Sequence, residues 1–303
     1  MEFRKFGPIS DSVSILGFGA GHIGRDSISD GEAGKLLNLV LDSGVNLIDT
    51  ARGYGQSEQR IGNAISSRRD EYILVTKGGY SVEGEDNWTR GAIVRSLEDS
   101  LRLMKTDRVD LFLLHSCSME QLQSEEVLSA LEEIVESGKA LHVGYSGENE
   151  ELDWALDCDR FSAVETSVNI CDQGNLYGRI ERARQSAMGV IAKRPLANAF
   201  WRYAERPVGR YADEYWQRWQ HMASLGIDDL PDAGDHEDML ECAWGLAAGI
   251  ADISCAIIGT SSPVNFRTNL KMAGGNKALG ASRRKALQRA WEDGSRGAWR
   301  GEI

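Results

Sequence analysis

Eight short apolar runs alternate with helical stretches along most of this chain, and that alternation limits the architectures open to it. The runs lie near residues 15–19, 46–49, 71–76, 109–114, 140–145, 162–166, 189–192 and 255–258. The helical stretches lie near 31–43, 57–67, 89–104, 119–137, 148–157, 176–187, 236–248 and 263–272. Short apolar runs bounded by turn residues suit buried parallel strands. Parallel strands need crossover helices, so eight such units predict a (β/α)8 barrel of the TIM type. Such a barrel commonly occupies about 250 residues or more as one unit. The chain of 303 residues is therefore expected to be a single domain, residues 1–303. A hairpin is expected ahead of the barrel, from Glu2 to Phe6 and Ser12 to Ile15 across a Gly-Pro turn.

Several element boundaries have local causes. Gly44 and Gly138 stand just past helical runs, where glycine accepts a left-handed cap at little cost. Thr89 precedes a helical stretch as a candidate N-cap, and Pro263 suits a first helical turn.

Three of the runs end in a residue that can do chemistry: Asn46-Leu47-Ile48-Asp49, Tyr72 through Thr76-Lys77, and Leu111-Phe112-Leu113-Leu114-His115. In a (β/α)8 barrel the strand C-termini converge on one face, which carries the active site. Tyr54 follows Asp49 in a turn flanked by Gly53 and Gly55. Taken singly, each of the four residues has an ordinary structural explanation. Their placement at the ends of strands two, three and four in order points to a shared site.

A phenol with an ordinary pKa near 10 keeps its proton at neutral pH and releases it reluctantly. A nearby ammonium such as Lys77 stabilises the phenolate. Asp49 would hold that lysine charged and fixed. At about 4 Å and an effective dielectric of about 20, such a pair interacts by about 4 kcal/mol before desolvation, so it serves positioning more than stability. His115 would bond to the same substrate oxygen or share its proton with Tyr54. Carbonyl reduction needs such a donor, because a hydride reaches carbon while a proton must reach oxygen. No side chain supplies hydride, so a cofactor is implied.

The formal charge of −12 argues against a nucleic-acid or anionic-membrane partner. Five scattered cysteines without CxxC spacing read as reduced thiols. The N-terminus has no apolar signal core and no run approaches membrane-spanning length, so a soluble cytoplasmic protein is expected. His22, His142, His221 and His236 show no ligand spacing, and no metal is expected.

Residues 199–235 interrupt the rhythm between strand seven and its helix, and carry Trp201, Tyr203, Tyr211, Tyr215, Trp216 and Trp219. A segment of this length is a lid or substrate wall over the strand C-termini, or a helical hairpin that packs its rings inward. On the first reading Trp88 and Trp201 are candidate substrate contacts. Trp291 and Trp299 in the C-terminal tail either cap the pocket or pack against the barrel.

The chain resembles the aldo-keto reductases nearly end to end. Leu16-Gly17-Phe18-Gly19 resembles the family's opening, and Ser43 through Ala51 followed by Gly53-Tyr54-Gly55 and Ser57-Glu58 resembles its most specific motif. Thr76-Lys77, Ser100-Leu101-Arg102-Leu103 and Asp110 through His115 follow in the family's order. The resemblance implies a tetrad of Asp49, Tyr54, Lys77 and His115, with Tyr54 as the acid, NADPH as hydride donor and a small-molecule carbonyl substrate. It places the cofactor along Gly19, Ala20, Asp49, Ser146, Glu165, Lys193, Arg194 and Leu196. Its adenosine phosphate end falls at Gly259, Thr260, Asn265 and Asn269, where the glycine turn and helix N-terminus suit a phosphate. The cofactor motifs depart from the family's pattern at three points. Gly147 replaces an asparagine, Glu165 replaces a glutamine, and Lys193 stands where an aromatic ring commonly stacks on the nicotinamide. Those departures favour a second reading, a nicotinamide-binding regulatory or scaffold protein on the same fold with little turnover. The tetrad argues against it.

Overall fold

The computed structural model describes residues 1–275 and 278–302. An antiparallel hairpin, β1 (Phe3–Phe6) and β2 (Ser10–Ser14), leads into eight parallel strands. These are β3 (Leu16–Gly19), β4 (Leu47–Asp49), β5 (Ile73–Gly78), β6 (Val109–His115), β7 (Ala140–Ser146), β8 (Ala163–Ser167), β9 (Gly189–Lys193) and β10 (Cys255–Gly259). They pair in chain order, and β10 pairs with β3 to close the barrel. The predicted (β/α)8 architecture is the one observed.

The helices on the outside are α1 (Asp30–Asp42), α2 (Ser57–Ile65), α3 (Arg90–Met104), α4 (Met119–Leu122), α5 (Glu125–Glu136), α6 (Asn149–Asp157) and α7 (Arg179–Gln185). They continue with α8 (Asp213–Ser224), α9 (His236–Ala248), α10 (Pro263–Gly274) and α11 (Ala281–Ser295). Local signals set several ends. Ser29 and Glu32 form a reciprocal capping box on α1, and Thr89 accepts from the Ala92 amide on α3. Pro263 stands in the first turn of α10 behind the Ser262 cap. The single helix expected over 119–137 is two, because the chain leaves helical geometry at Ser124 and starts again.

Side chains alternate across each strand, and this alternation builds the barrel's interior. Leu47, Ile73, Val75, Leu111, Leu113, Ala163, Ile191, Cys255 and Ile257 form one inner cluster with Phe6 and Val13. The hairpin thus plugs the N-terminal end of the barrel. Gly189 is required there, since a Cβ on it would lie 2.3 Å from the Phe6 ring. Two residues further along, the same inward faces carry Asp49, Lys77, His115, Glu165 and Lys193. The polar ring at the barrel mouth is therefore the next layer of the apolar stack.

The segment 199–235 divides between the two readings open to it. Phe200, Trp201, Tyr215 and Trp219 pack inward with Met239, Leu246 and Leu287 as a separate buried cluster. Tyr203 and Tyr211 instead face the mouth of the barrel. Helix α11, absent from the expected pattern, packs against α8. Trp299 of the tail sits edge-on to His221, with Arg218 over its ring. Among the described residues no helix is long and apolar enough to cross a membrane.

Candidate active site

A cavity of about 1430 Å³ occupies the C-terminal face of the barrel. That exceeds the few hundred to about 1,000 Å³ of a drug-sized ligand site, and leaves room for a dinucleotide with a second molecule. The Lys77 side chain is fully buried at its floor. Its Nζ lies 2.5 Å from Asp49 Oδ2 and 3.3 Å from Glu165 Oε2, and donates to the Thr50 carbonyl at 3.1 Å. Burial disfavours the ammonium, but the two carboxylates more than offset this and raise its pKa. Burial and the Glu165 charge push the Asp49 carboxyl well up against the pull of Lys77. Burial works the same way on Glu165, but Lys77 and Lys193 outweigh it and hold that carboxyl below its ordinary range.

Tyr54 reaches this floor from the loop between β4 and α2. Lys77 Nζ lies 5.4 Å from the centre of its ring, and His115 meets the ring edge-on at 5.8 Å. The loop is held by packing that the motif residues supply. Ser57 Oγ lies 2.9 Å from Thr50 Oγ1 and donates to the Ala20 carbonyl. Glu58, almost fully buried, accepts from Thr76 Oγ1 and pairs with Arg52. Gly24 is needed because a Cβ there would lie 1.8 Å from the Tyr54 carbonyl. Lys77 pulls the Tyr54 phenol down most strongly. Burial and the Asp49 and Glu165 charges together prevail and push it up to about 12. Tyr54 therefore holds its proton at neutral pH.

Burial, with Lys77 close by, depresses His115 to about 3, so the imidazole is neutral. Its Nδ1 lies 2.9 Å from Tyr80 Oη. With Tyr80 donating there, the ring's own proton sits on Nε2 and is free to bond a substrate oxygen. The sequence reading missed Tyr80. The signal was a tyrosine just past the Gly78-Gly79 exit of β5. Trp88 packs on Tyr80 at 5.7 Å between ring centres and lines the cavity from a left-handed backbone conformation.

The other expected residues fall as follows. Gly19, Ser146, Glu165, Lys193, Arg194, Leu196, Gly259, Thr260, Asn265 and Asn269 line the same cavity as Asp49, Tyr54 and His115, while Lys77 is buried beneath it. Ala20 does not: it is fully buried under the Tyr54 loop, where its carbonyl serves Ser57. Trp201 does not either. It lies in the buried cluster edge-on to Phe200, so the substrate contact expected of it is corrected to a core role.

Each of the three departures from the family's pattern has a local setting. At Gly147 a Cβ would lie 2.2 Å from Tyr145 Oη, so the Tyr145 side chain fills the place of a larger residue. Glu165 accepts from Ser146 Oγ at 3.2 Å through Oε1, while its buried Oε2 accepts no hydrogen bond. Lys193 pairs at 3.3 Å with Glu148, which also accepts from Thr166, Ser167 and Asn175. The sequence reading also missed Glu148, which falls two residues past Ser146. No group of residues suited to holding a metal ion occurs among the described residues.

Comparison with known proteins agrees with this geometry. The model of the family described as "Aldo/keto reductase family" matches residues 15–248. The uncharacterised oxidoreductase YqkF of Bacillus subtilis (strain 168) is 25% identical over 311 residues, 95% of this chain and 96% of that protein. Methylglyoxal reductase YeaE of Escherichia coli (strain K12) is 29% identical over 197 residues, 62% of this chain and 66% of its own length. Among solved structures, the holo form of aldo-keto reductase AKR11C1 from Bacillus halodurans superposes with a TM-score of 0.78. It is 26% identical and covers 96% of each chain. The match over residues 15–248, with the acid, phenol and imidazole meeting at one cavity floor above the buried amine, places the chain in the aldo/keto reductase family.

Proposed function

We propose that this chain, an NAD(P)H-dependent oxidoreductase by family, reduces an aldehyde or ketone to the alcohol with NADPH. One observation carries the reading: a buried Asp49–Lys77 pair and a neutral His115 flank a protonated Tyr54 at the floor of a cavity with volume enough for a dinucleotide. The residues present fit that cofactor. Glu165 Oε2 faces Lys77 as an ion pair at 3.3 Å but accepts no hydrogen bond, which leaves it an acceptor suited to the amide N–H of a carboxamide, with Ser146 beside it. At the far end Thr260 and Asn265 stand at the capped N-terminus of α10, which suits a phosphate, and Asn269 lines the cavity about two turns further along.

A reduced nicotinamide bound there supplies hydride to the carbonyl carbon. The chain's own residues do the rest. Nε2 of neutral His115 donates a hydrogen bond to the carbonyl oxygen and orients it. Tyr54 Oη gives that oxygen its proton as the C=O electron pair moves onto it. Lys77, fixed by Asp49, stabilises the phenolate left behind. Residues 1–303 act as one functional unit on this reading, since the hairpin closes the N-terminal end of the barrel and the tail holds the cavity residue Arg194 through the Glu302 carbonyl.

The test is loss of reduced-nicotinamide absorbance with a reactive aromatic aldehyde, run beside Tyr54→Phe. Turnover that disappears in the variant supports the reading. NADPH binding seen by fluorescence, with no turnover across a carbonyl panel, would favour a nicotinamide-binding scaffold instead.

A further inference from the structure

Acidic residues outnumber basic ones 46 to 34 in this chain, yet the upper wall of the cavity has the opposite sign. The two carboxylates that line the cavity, Asp49 and Glu165, both lie buried at the floor, engaged by Lys77 and Ser146. Above them the segment after β9 contributes Arg202 and Arg210. Among the described residues neither guanidinium has a carboxylate partner, whereas Arg206 between them binds Asp213 at 2.6 Å. Glu205 does not line the main cavity; it lines a smaller neighbouring cleft, to which Arg202 and Arg210 also contribute.

Arg210 is held by a ring instead of by an acid, and Arg202 stands exposed beside it. Arg210 lies over the Tyr203 ring at 5.5 Å, and Tyr211 lies against Arg194 at 6.0 Å. Stacking uses the face of a guanidinium and leaves its in-plane N–H groups free, which suits a bidentate oxyanion. Topology sets where this segment stands. Strands β9 and β5 are half a turn apart in the barrel, so the segment faces the β5 exit that carries Tyr80 and Trp88. Tyr211 comes close enough to Tyr80 to raise the pKa of its phenol, alongside the larger effect of burial. Tyr80 in turn bonds His115. The segment that carries the arginines thus stands across the cavity from the place where a carbonyl would meet Tyr54 and His115.

We propose that Arg202 and Arg210 form an oxyanion-recognition site for the substrate, so that the preferred carbonyl compounds carry a carboxylate or phosphate remote from the reacting carbon. This rests on the reductase reading and names its substrate class. The remote charge anchors the molecule at the upper wall while its carbonyl reaches the floor.

The test compares kcat/KM for 4-formylbenzoate with that for its methyl ester, under saturating NADPH. The two probes share a ring and an aldehyde and differ in one charge. The anion is expected to be favoured by about 10-fold or more, as a charge-assisted pair implies, and the advantage should shrink as salt rises. Arg202→Gln and Arg210→Gln should each lower that ratio about 5- to 10-fold, while Arg206→Gln leaves it as it was. 4-Formylphenyl phosphate separates the two oxyanions, since whichever anion shows the larger arginine-dependent advantage is the group the site takes. Equal efficiency for anion and ester in the wild-type protein would overturn the inference and leave the reductase reading standing. A raised KM for NADPH in both variants with the ratio unchanged would also overturn it, and assign the guanidiniums to the cofactor's phosphates. Absence of NADPH oxidation with every probe would overturn the reductase reading itself, and this inference with it.

Discussion

Tyr80 Oη lies 2.9 Å from His115 Nδ1, and with the tyrosine as donor that contact leaves the other imidazole nitrogen to serve the cavity. A neutral imidazole has one donor and one acceptor nitrogen, so filling Nδ1 with the tyrosine proton leaves Nε2–H for substrate. Tyr80→Phe removes this lock without emptying the ring stack on Trp88. We expect kcat/KM for aldehydes to fall about 5- to 10-fold, the worth of one hydrogen bond, with NADPH affinity unchanged. Steady-state kinetics beside fluorescence titration of NADPH reads both. Wild-type kinetics in the variant would show that the ring holds its orientation without Tyr80.

The titration of Tyr54 and His115 predicts an unusual pH profile. With the phenol pushed up to about 12, the acid stays protonated far into the alkaline range. With the imidazole depressed to about 3, its charge change falls well below its ordinary place near pH 6.5. The reductive kcat/KM should therefore stay flat between about pH 5 and pH 9 and fall only beyond both ends. Tyr54→Phe should lower it by about 10²–10⁴-fold throughout. A limb centred near neutrality would mean that His115 carries charge in the working enzyme.

The chemistry of the floor was legible because strands count by two. From Val75 the next inward position is Lys77, from Leu113 it is His115, and from Leu47 it is Asp49. The eightfold repeat of strand and helix was legible because strands buried on both faces read as unbroken apolar runs. Trp201 was not, because a tryptophan in an irregular segment looks the same whether it faces a cavity or a core. Its neighbours Tyr203 and Tyr211 took the cavity side instead. Helix α11 lacked the apolar stripe that marks a packed helix, since its buried face is mostly small, with Ala286, Leu287, Ala290 and Ser295. The glycine at 147 could be seen, but its reason could not. That reason is Tyr145, which folds back over the strand end.

Glu165 places a second buried carboxylate beside Lys77, where a neutral amide would leave one. Held ionised by Lys77 and Lys193, it favours a positive nicotinamide over a neutral one. We expect Glu165→Gln to weaken NADP⁺ binding relative to NADPH by about 10-fold, or about 1.4 kcal/mol. The ratio of the two dissociation constants, taken by fluorescence quenching on wild type and variant, measures this without turnover. A ratio unmoved by the substitution would mean that the charge is spent within the Lys77 and Lys193 pairs and does not reach the ring.

Trp201 is a stability residue on this structure, and its truncation should show it. Its side chain is 8% exposed and packs edge-on to Phe200, whose ring in turn lies against Trp219. Trp201→Ala removes a large ring from a closed cluster and leaves a void that neighbours fill only partly. Such truncations cost about 3–5 kcal/mol. Urea denaturation should therefore show a clear drop in midpoint with little change in slope. The ranking of carbonyl substrates should stay as in wild type, since the ring does not line the cavity. A reordered substrate panel with an unchanged midpoint would return Trp201 to the pocket wall. The same panel run on Tyr211→Ala supplies the contrast, because that ring is exposed at the mouth and should move preference far more than stability.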